Sequence, residues 1–203
     1  MGVKRKLTKR LAALGVSVAA ALSGGYLIYP YEGSVTNKDG LHTVYLDPIG
    51  IPTACWGQTG RDLYGKPIQM GATYTEDECI QMLANTLKSF EQQINQMTKN
   101  NYASDWQKAA LISFAYNSGT GNFQRSTLRS YILAGDHGSA CDQLSRWVYA
   151  NKKKLRGLVL RRGEEREWCL GNVDDAAAIG TYYEIMEKNM DYFKKYRMGE
   201  GSE

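Results

Sequence analysis

The chain is poor in residues that hold metals. It has two histidines, His42 and His137, and four cysteines, none of them in a CxxC pair. A structural zinc site needs a cluster of thiolate and imidazole ligands, so this composition argues against one, and no metal or cofactor is expected. A strongly basic surface is also missing. Lys and Arg number 25 against 21 Asp and Glu, a net charge of +4. That is too mild for a nucleic-acid binder, so no nucleic-acid partner is expected. Such an excess serves solvation, or weak attraction to an anionic polymer or membrane. No internal repeat or long low-complexity run breaks the chain. What is present, 43% hydrophobic and 23% charged residues over 203 positions, suits one globular domain with appendages.

Charge is absent altogether from residues 11–29, a run of 19. Lys4, Arg5, Lys6, Lys9 and Arg10 precede it. A basic flank before an apolar span reads as an export signal with its N-terminus in the cytoplasm. As one helix the run would rise about 28 Å, just enough to cross a bilayer. Ala, Gly and Ser fill ten of the 19 positions, and small residues bury little apolar area. The segment should therefore insert and be held weakly. A weak, uncleaved anchor ranks first; a signal cleaved near Ala19-Ala20-Ala21 ranks second, and a permanent anchor third. Leaving the lipid would let residues 11–29 pack against or near the body. In an exported chain the even cysteine count suggests two disulfides, the alternative being four buried thiols.

Beyond the anchor, residues 43–57 alternate and carry β-formers around the turn residues Asp47, Pro48 and Gly50. Residues 57–71 are rich in Gly and read as loop. Thr75 and Glu78 form a capping box. Ile80, Leu83, Leu87, Phe90, Ile94 and Met97 then recur at helical spacing, marking a long amphipathic helix. Ser104 can cap the next helix, which the 117–122 segment breaks. Short helices are expected near 126–134 and 139–150, with Lys152–Lys154 as a basic turn. A helix is expected over 155–170, with Arg161, Arg162, Glu164, Glu165 and Arg166 mostly outward. Residues 172–203 form an extension that could hold one more helix.

Glu32 stands at the edge of the apolar run, and Asp47 lies in a polar hairpin. A glycosidase needs one carboxyl that stays protonated and one that stays ionised, on opposite sides of a sugar bond, and these two environments suit that division.

Several blocks together resemble the phage-type lysozymes, and more narrowly the signal-anchor-release endolysins of phages of Gram-negative bacteria. They are YEG at 31–33, YLDPIGIPTACWGQTG at 45–60, SFAYNSGTGNFQRSTL at 113–128 and GLVLRRGEEREWCL at 157–170. The resemblance implies an α+β, lysozyme-like fold: a mainly helical larger lobe, a small β-hairpin lobe, a long connecting helix and an N-terminal signal-anchor helix. It divides the chain into an anchor at 1–29, a catalytic domain at 30–171 and the extension at 172–203. It implies Glu32 as general acid, with Asp47 and Thr53 holding the attacking water. Fourteen residues, 33–46, separate Glu32 from Asp47, more than is usual in the family. The surplus falls in SVTNKDGLHT, and Asp47 rather than Asp39 is aligned because its spacing to Thr53 is kept. Asn117, Ser126 and Thr127 would bind sugar, with capping and loop hydrogen bonds as equal alternatives. Arg161 and Arg162 read as a structural ion-pair face. The resemblance also pairs Cys55 with Cys79 and Cys141 with Cys169.

The implied activity is hydrolysis of the β-1,4 bond between N-acetylmuramic acid and N-acetylglucosamine in peptidoglycan glycan strands. The implied enzyme is a monomer that faces the periplasm from the host inner membrane and is later soluble in the periplasm. Alternatives are an ordinary secreted lysozyme with a cleaved signal peptide, a lytic transglycosylase, and a non-catalytic, membrane-tethered wall-binding protein.

Overall fold

The structure is a computed structural model that describes residues 2–47, 49–173 and 176–197, with side chains described as far as residue 187. The basic flank and the start of the uncharged run form one helix, α1 (Val3–Ala13). It ends before Gly15, whose φ of 74° favours glycine. Ser17 caps α2 (Val18–Leu22), its hydroxyl accepting from the Ala20 amide. The chain then runs into a π-helical segment, Ser23–Ile28. Among the described residues no helix is long and apolar enough to cross a membrane. Residues 11–29, expected as a span, are here folded into the larger lobe, where Leu11, Ala20, Ala21, Leu22, Leu27 and Ile28 are fully buried.

Small residues make that packing possible. A Cβ on Gly24 would stand 2.6 Å from Leu11 Cδ1 and 2.8 Å from Leu87 Cδ1, and one on Gly25 would collide with Thr8 Oγ1. Two glycines thus let the π-helical segment lie directly against α1 and the long helix.

The small lobe consists of β1 (Val35–Thr36), β2 (His42–Thr43), β3 (Tyr45–Leu46), β4 (Pro52–Ala54), β5 (Gln58–Thr59) and β6 (Thr73–Tyr74). They form two antiparallel sheets of order β1-β2-β6 and β3-β4-β5. The surplus residues make the β1–β2 hairpin. Its turn closes on Asn37 Oδ1, which accepts from the amides of Asp39 and Leu41, both at 3.0 Å. His42 is buried and bridges Ser34 Oγ and Glu76 Oε2, each at 2.7 Å. The hairpin is thereby pinned to the first turn of the next helix.

That helix, α3 (Glu76–Thr98), joins the lobes and carries the expected capping box at Thr75 and Glu78. The Thr75 backbone and side-chain donors, with the Tyr64 hydroxyl, hold the Glu78 carboxyl below the usual carboxylate range. Its contribution to stability is present above the unfolded-state pKa and is lost as pH falls through the lower folded one. Thr75→Ala is expected to cost about 1 kcal/mol near neutral pH. In paired melts of the two proteins the difference should shrink at pH 3; a constant difference would show that the box contributes no charge-dependent stability.

The larger lobe is built from α4 (Asp105–Ser118), α5 (Thr120–Arg125), α6 (Thr127–Ala134), α7 (His137–Asp142), a 3-10 turn (Gln143–Arg146), a ribbon of β7 (Tyr149–Ala150) and β8 (Lys153–Lys154), and α8 (Arg156–Leu170). α9 (Ala176–Arg197) follows in the extension. The helix expected over 139–150 stops at Arg146. Asn151 and Lys152, at φ 48° and 63°, turn the chain back into the ribbon. α4 is the centre of the lobe, packing on α2, α3, α8 and the π-helical segment.

Both expected disulfides are present. Cys55–Cys79 ties the hairpin end to α3, and Cys141–Cys169 ties α7 to α8, with Cα–Cα distances of 5.4 and 5.5 Å. Closing loops of this length restricts the unfolded chain by about 3 kcal/mol each.

Candidate active site

Glu32 hangs from the end of the π-helical segment. Its amide donates to the Ile28 carbonyl at 3.0 Å, and Tyr31 donates to the same oxygen at 2.9 Å. The carboxyl is divided between two neighbours. Oε1 accepts from Arg161 Nη1 at 2.8 Å. Oε2 faces Gly57, where a Cβ would stand 3.3 Å away. Gly57 has a φ of 91°, so space and backbone both favour glycine there. The Glu32 side chain keeps 21% of its surface exposed, lodged in a wall yet reachable from solvent.

The β3–β4 hairpin presents the other two candidates. Asp47 Oδ1 accepts from the amides of Ile49 at 3.0 Å and Ile51 at 2.8 Å, which fixes the carboxylate in its turn. Thr53 pairs with Tyr45 across the hairpin, is buried, and donates to the Ile51 carbonyl at 3.0 Å. Tyr45, paired with Thr53, lies within electrostatic range of both carboxyls. Burial pushes its hydroxyl pKa up, and the nearby charges of Glu32 and Asp47 push it further. Asp39, by contrast, occupies the exposed β1–β2 turn.

Behind Glu32 lies a cluster that corrects the outward placement expected for α8. Arg161, Arg162 and Glu165 are all buried, at 3%, 1% and 0% exposure. Glu165 accepts from Arg161 Nε at 3.2 Å, from Arg162 Nη2 at 2.9 Å and from the Ser113 hydroxyl at 2.6 Å. Burial pushes the Glu165 carboxyl up in pKa, against the pull of Arg162 and Arg161. The physical reason for the inward orientation is mutual compensation: each buried charge has a partner of opposite sign. Arg161 is thus more than part of a structural face, since it also holds Glu32. Tyr31 flanks the pair, its ring under the Arg161 guanidinium and its hydroxyl donating to Glu164 Oε2 at 2.6 Å.

Of the candidate sugar ligands, Ser126 and Thr127 line one hollow together, while Asn117 is held by Arg162. Asn117 Oδ1 accepts from Arg162 Nη2 at 3.1 Å. Ser126 caps α6, accepting from the Arg129 amide and donating to the Phe123 carbonyl. Thr127 is exposed and, with Arg125, Arg146 and Trp147, lines a hollow of about 320 Å³. A second hollow of about 210 Å³ lies between the hairpin end and α3, lined by Gln58, Thr59, Arg61, Asp62, Asn85 and Thr86. The Gly-rich 57–71 segment holds four of these residues. Its turn signals mark a loop but carry no sign of a polar wall.

A small lobe of two antiparallel sheets, joined by one long helix to a mainly helical larger lobe, is the build of a lysozyme-type glycoside hydrolase. The phage lysozyme profile matches residues 37–165, and the chain belongs to the phage lysozyme family. It is 44% identical over 165 residues to the SAR-endolysin of bacteriophage PS119, covering 78% of this chain and 95% of that one. It is 41% identical over 164 residues to the SAR-endolysin of Enterobacteria phage P21, covering 78% and 96%. The fold is also that of the active form of P1 phage endolysin Lyz, with a TM-score of 0.68 and 21% identity over 86% of this chain and 98% of that one.

Proposed function

We propose that this endolysin hydrolyses the muramic acid–glucosamine bond of peptidoglycan with Glu32 as general acid and Asp47 with Thr53 as the water-holding arm. Arg161 on Oε1 leaves Glu32 Oε2 to carry the proton to the glycosidic oxygen. Asp47 orients a water on the opposite face of the sugar and balances the positive charge that develops there, so the product inverts. A lytic transglycosylase, which closes an anhydro ring, has no use for that second arm.

The chain acts in two places on this reading. Residues 11–29 first hold it in the host inner membrane, facing the periplasm, and later leave the lipid so that the enzyme becomes soluble there. The observation that carries this is the pair between Glu32 Oε1 and Arg161 Nη1 of α8, made by a segment whose Leu22, Leu27 and Ile28 are buried in the body. The acid sits in its wall only while the segment is folded onto the body. With residues 11–29 in the bilayer, Glu32 lies three residues from the membrane and apart from Arg161 and Asp47.

The test is to fractionate cells before and after collapse of the membrane potential and to assay both fractions on purified peptidoglycan. The membrane fraction should be inactive and the soluble fraction active, yielding reducing ends without anhydro sugar. Activity in the embedded form, or a mature protein always lacking residues 1–21, would overturn the release cycle. Asp47→Asn should cripple the soluble enzyme and Asp39→Asn should leave it near normal; the reverse order would move the water-holding arm to Asp39.

A further inference from the structure

We infer that one face of α9 is the docking surface for the N-terminal segment once that segment leaves the membrane. The inference rests on the release reading above. The helices that α9 packs on most extensively are α1 and α2, both within residues 3–22. Ala178, Thr181 and Ile185 form its buried stripe at spacings of three and four. Thr181 Oγ1 lies 3.4 Å from the Tyr26 hydroxyl in the π-helical segment. Tyr182, beside the stripe, packs on Trp106 of α4 with ring centroids 4.9 Å apart, which sets α9 on the body. When residues 3–28 are away, this stripe faces an empty slot.

Charge makes the face selective for its occupant. Glu184 forms ion pairs with both Arg5 and Lys9, one helical turn apart on α1. Arg10 completes the grip from the other side by pairing with Asp77 on α3. These cations belong to the flank that orients the segment for export, where they lie on the cytoplasmic side of the bilayer. Glu184 lies on the opposite side in that state. The same charges thus serve twice, first to set topology and then to seat the helix. Contact between Glu184 and Arg5 requires the flank to have crossed the membrane, so α9 captures only segments that have fully left.

The experiment uses the full chain with Glu184→Lys, Glu184→Gln and Glu184→Asp, and Glu187→Lys as a control that makes the same charge change at an exposed neighbouring position. Each is fractionated before and after depolarisation, and the soluble form is treated with trypsin, which cuts after Arg5, Lys9 and Arg10 when α1 is undocked. All variants should accumulate in the membrane as the parent does. In the soluble form, cutting within α1 should be roughly fivefold to thirtyfold faster for Glu184→Lys, less so for Glu184→Gln, and near parental for Glu184→Asp and Glu187→Lys. Wall hydrolysis should fall in the same order. Parental protection in Glu184→Lys, or equal exposure in Glu187→Lys, overturns the docking face. A parent protein that never occupies the membrane, or is active there, defeats the release reading instead, so the two failures are distinct.

Discussion

Glu32→Gln is expected to leave a folded protein that no longer clears peptidoglycan. Glutamine keeps the size of the side chain and can still accept from Arg161 Nη1, so the wall around it stays in place. It has no acidic proton for the leaving oxygen. General acid catalysis typically contributes a hundredfold to ten-thousandfold, and the loss of rate should fall within roughly that range. Stability should change little, because the Arg161–Glu32 pair is partly exposed and Arg161 keeps Glu165 as a buried partner. The measurement is a turbidity assay on peptidoglycan beside a thermal melt. Near-parental clearing by a folded Glu32→Gln protein would remove Glu32 from the catalytic role.

Replacing Gly24 and Gly25 together by Leu should lock the chain in the membrane, inactive. Two effects act in the same direction. Each leucine adds apolar carbon worth roughly 0.8 kcal/mol per methylene in lipid, so roughly 3 kcal/mol per side chain and twice that for the pair. The same side chains oppose the soluble state, where a Cβ alone meets Leu11 and Leu87 at position 24 and Thr8 at position 25. Overpacking of this kind costs roughly 1–3 kcal/mol per site. The double variant should accumulate normally, stay in the membrane fraction after depolarisation and show no hydrolysis. Gly24→Ala separates the two effects, because one methyl adds little to lipid affinity yet still meets Leu11. It should be released and then prove poorly active. A double Leu variant that is released and clears the wall like the parent would show that neither effect controls the switch.

Local chemistry was the most legible part of the fold. The Thr75–Glu78 box, the Ser104 cap and the turn at Asp47 depend on neighbours a few residues away, and each stands where its residues indicate. The 149–154 ribbon was hidden because the turn expected over Lys152–Lys154 falls instead at Asn151 and Lys152, in a left-handed conformation, and Lys153 and Lys154 continue as a strand. The inward turn of Arg161, Arg162 and Glu165 was hidden for a different reason. Their spacing puts them on one side of α8, but the partner that draws Arg161 into the site is Glu32, 129 residues away. The anchor was ambiguous in principle. Ala, Leu and Ile are equally apolar to lipid and to a protein core, and only Gly15 and Ser17 mark where a straight span becomes two helices. For the candidate site, the resemblance to the family pointed to Glu32, Asp47 and Thr53, whereas the polar hollow at Gln58, Arg61 and Asn85 depends on how the hairpin end meets α3.

Both disulfides lie wholly outside residues 3–28. On the release reading, oxidation can therefore finish on the periplasmic side while the first helices are still in lipid, which would leave a cross-linked body with a vacancy in its centre. The segment that fills the vacancy is covalently attached to it, so closure is a unimolecular step governed by effective concentration and not by the number of enzyme copies. Each copy then matures at the same rate whether the host holds few or many. A single event felt by the whole membrane would convert the stored pool together, so the timing of wall rupture is set by the trigger and its extent by the amount accumulated.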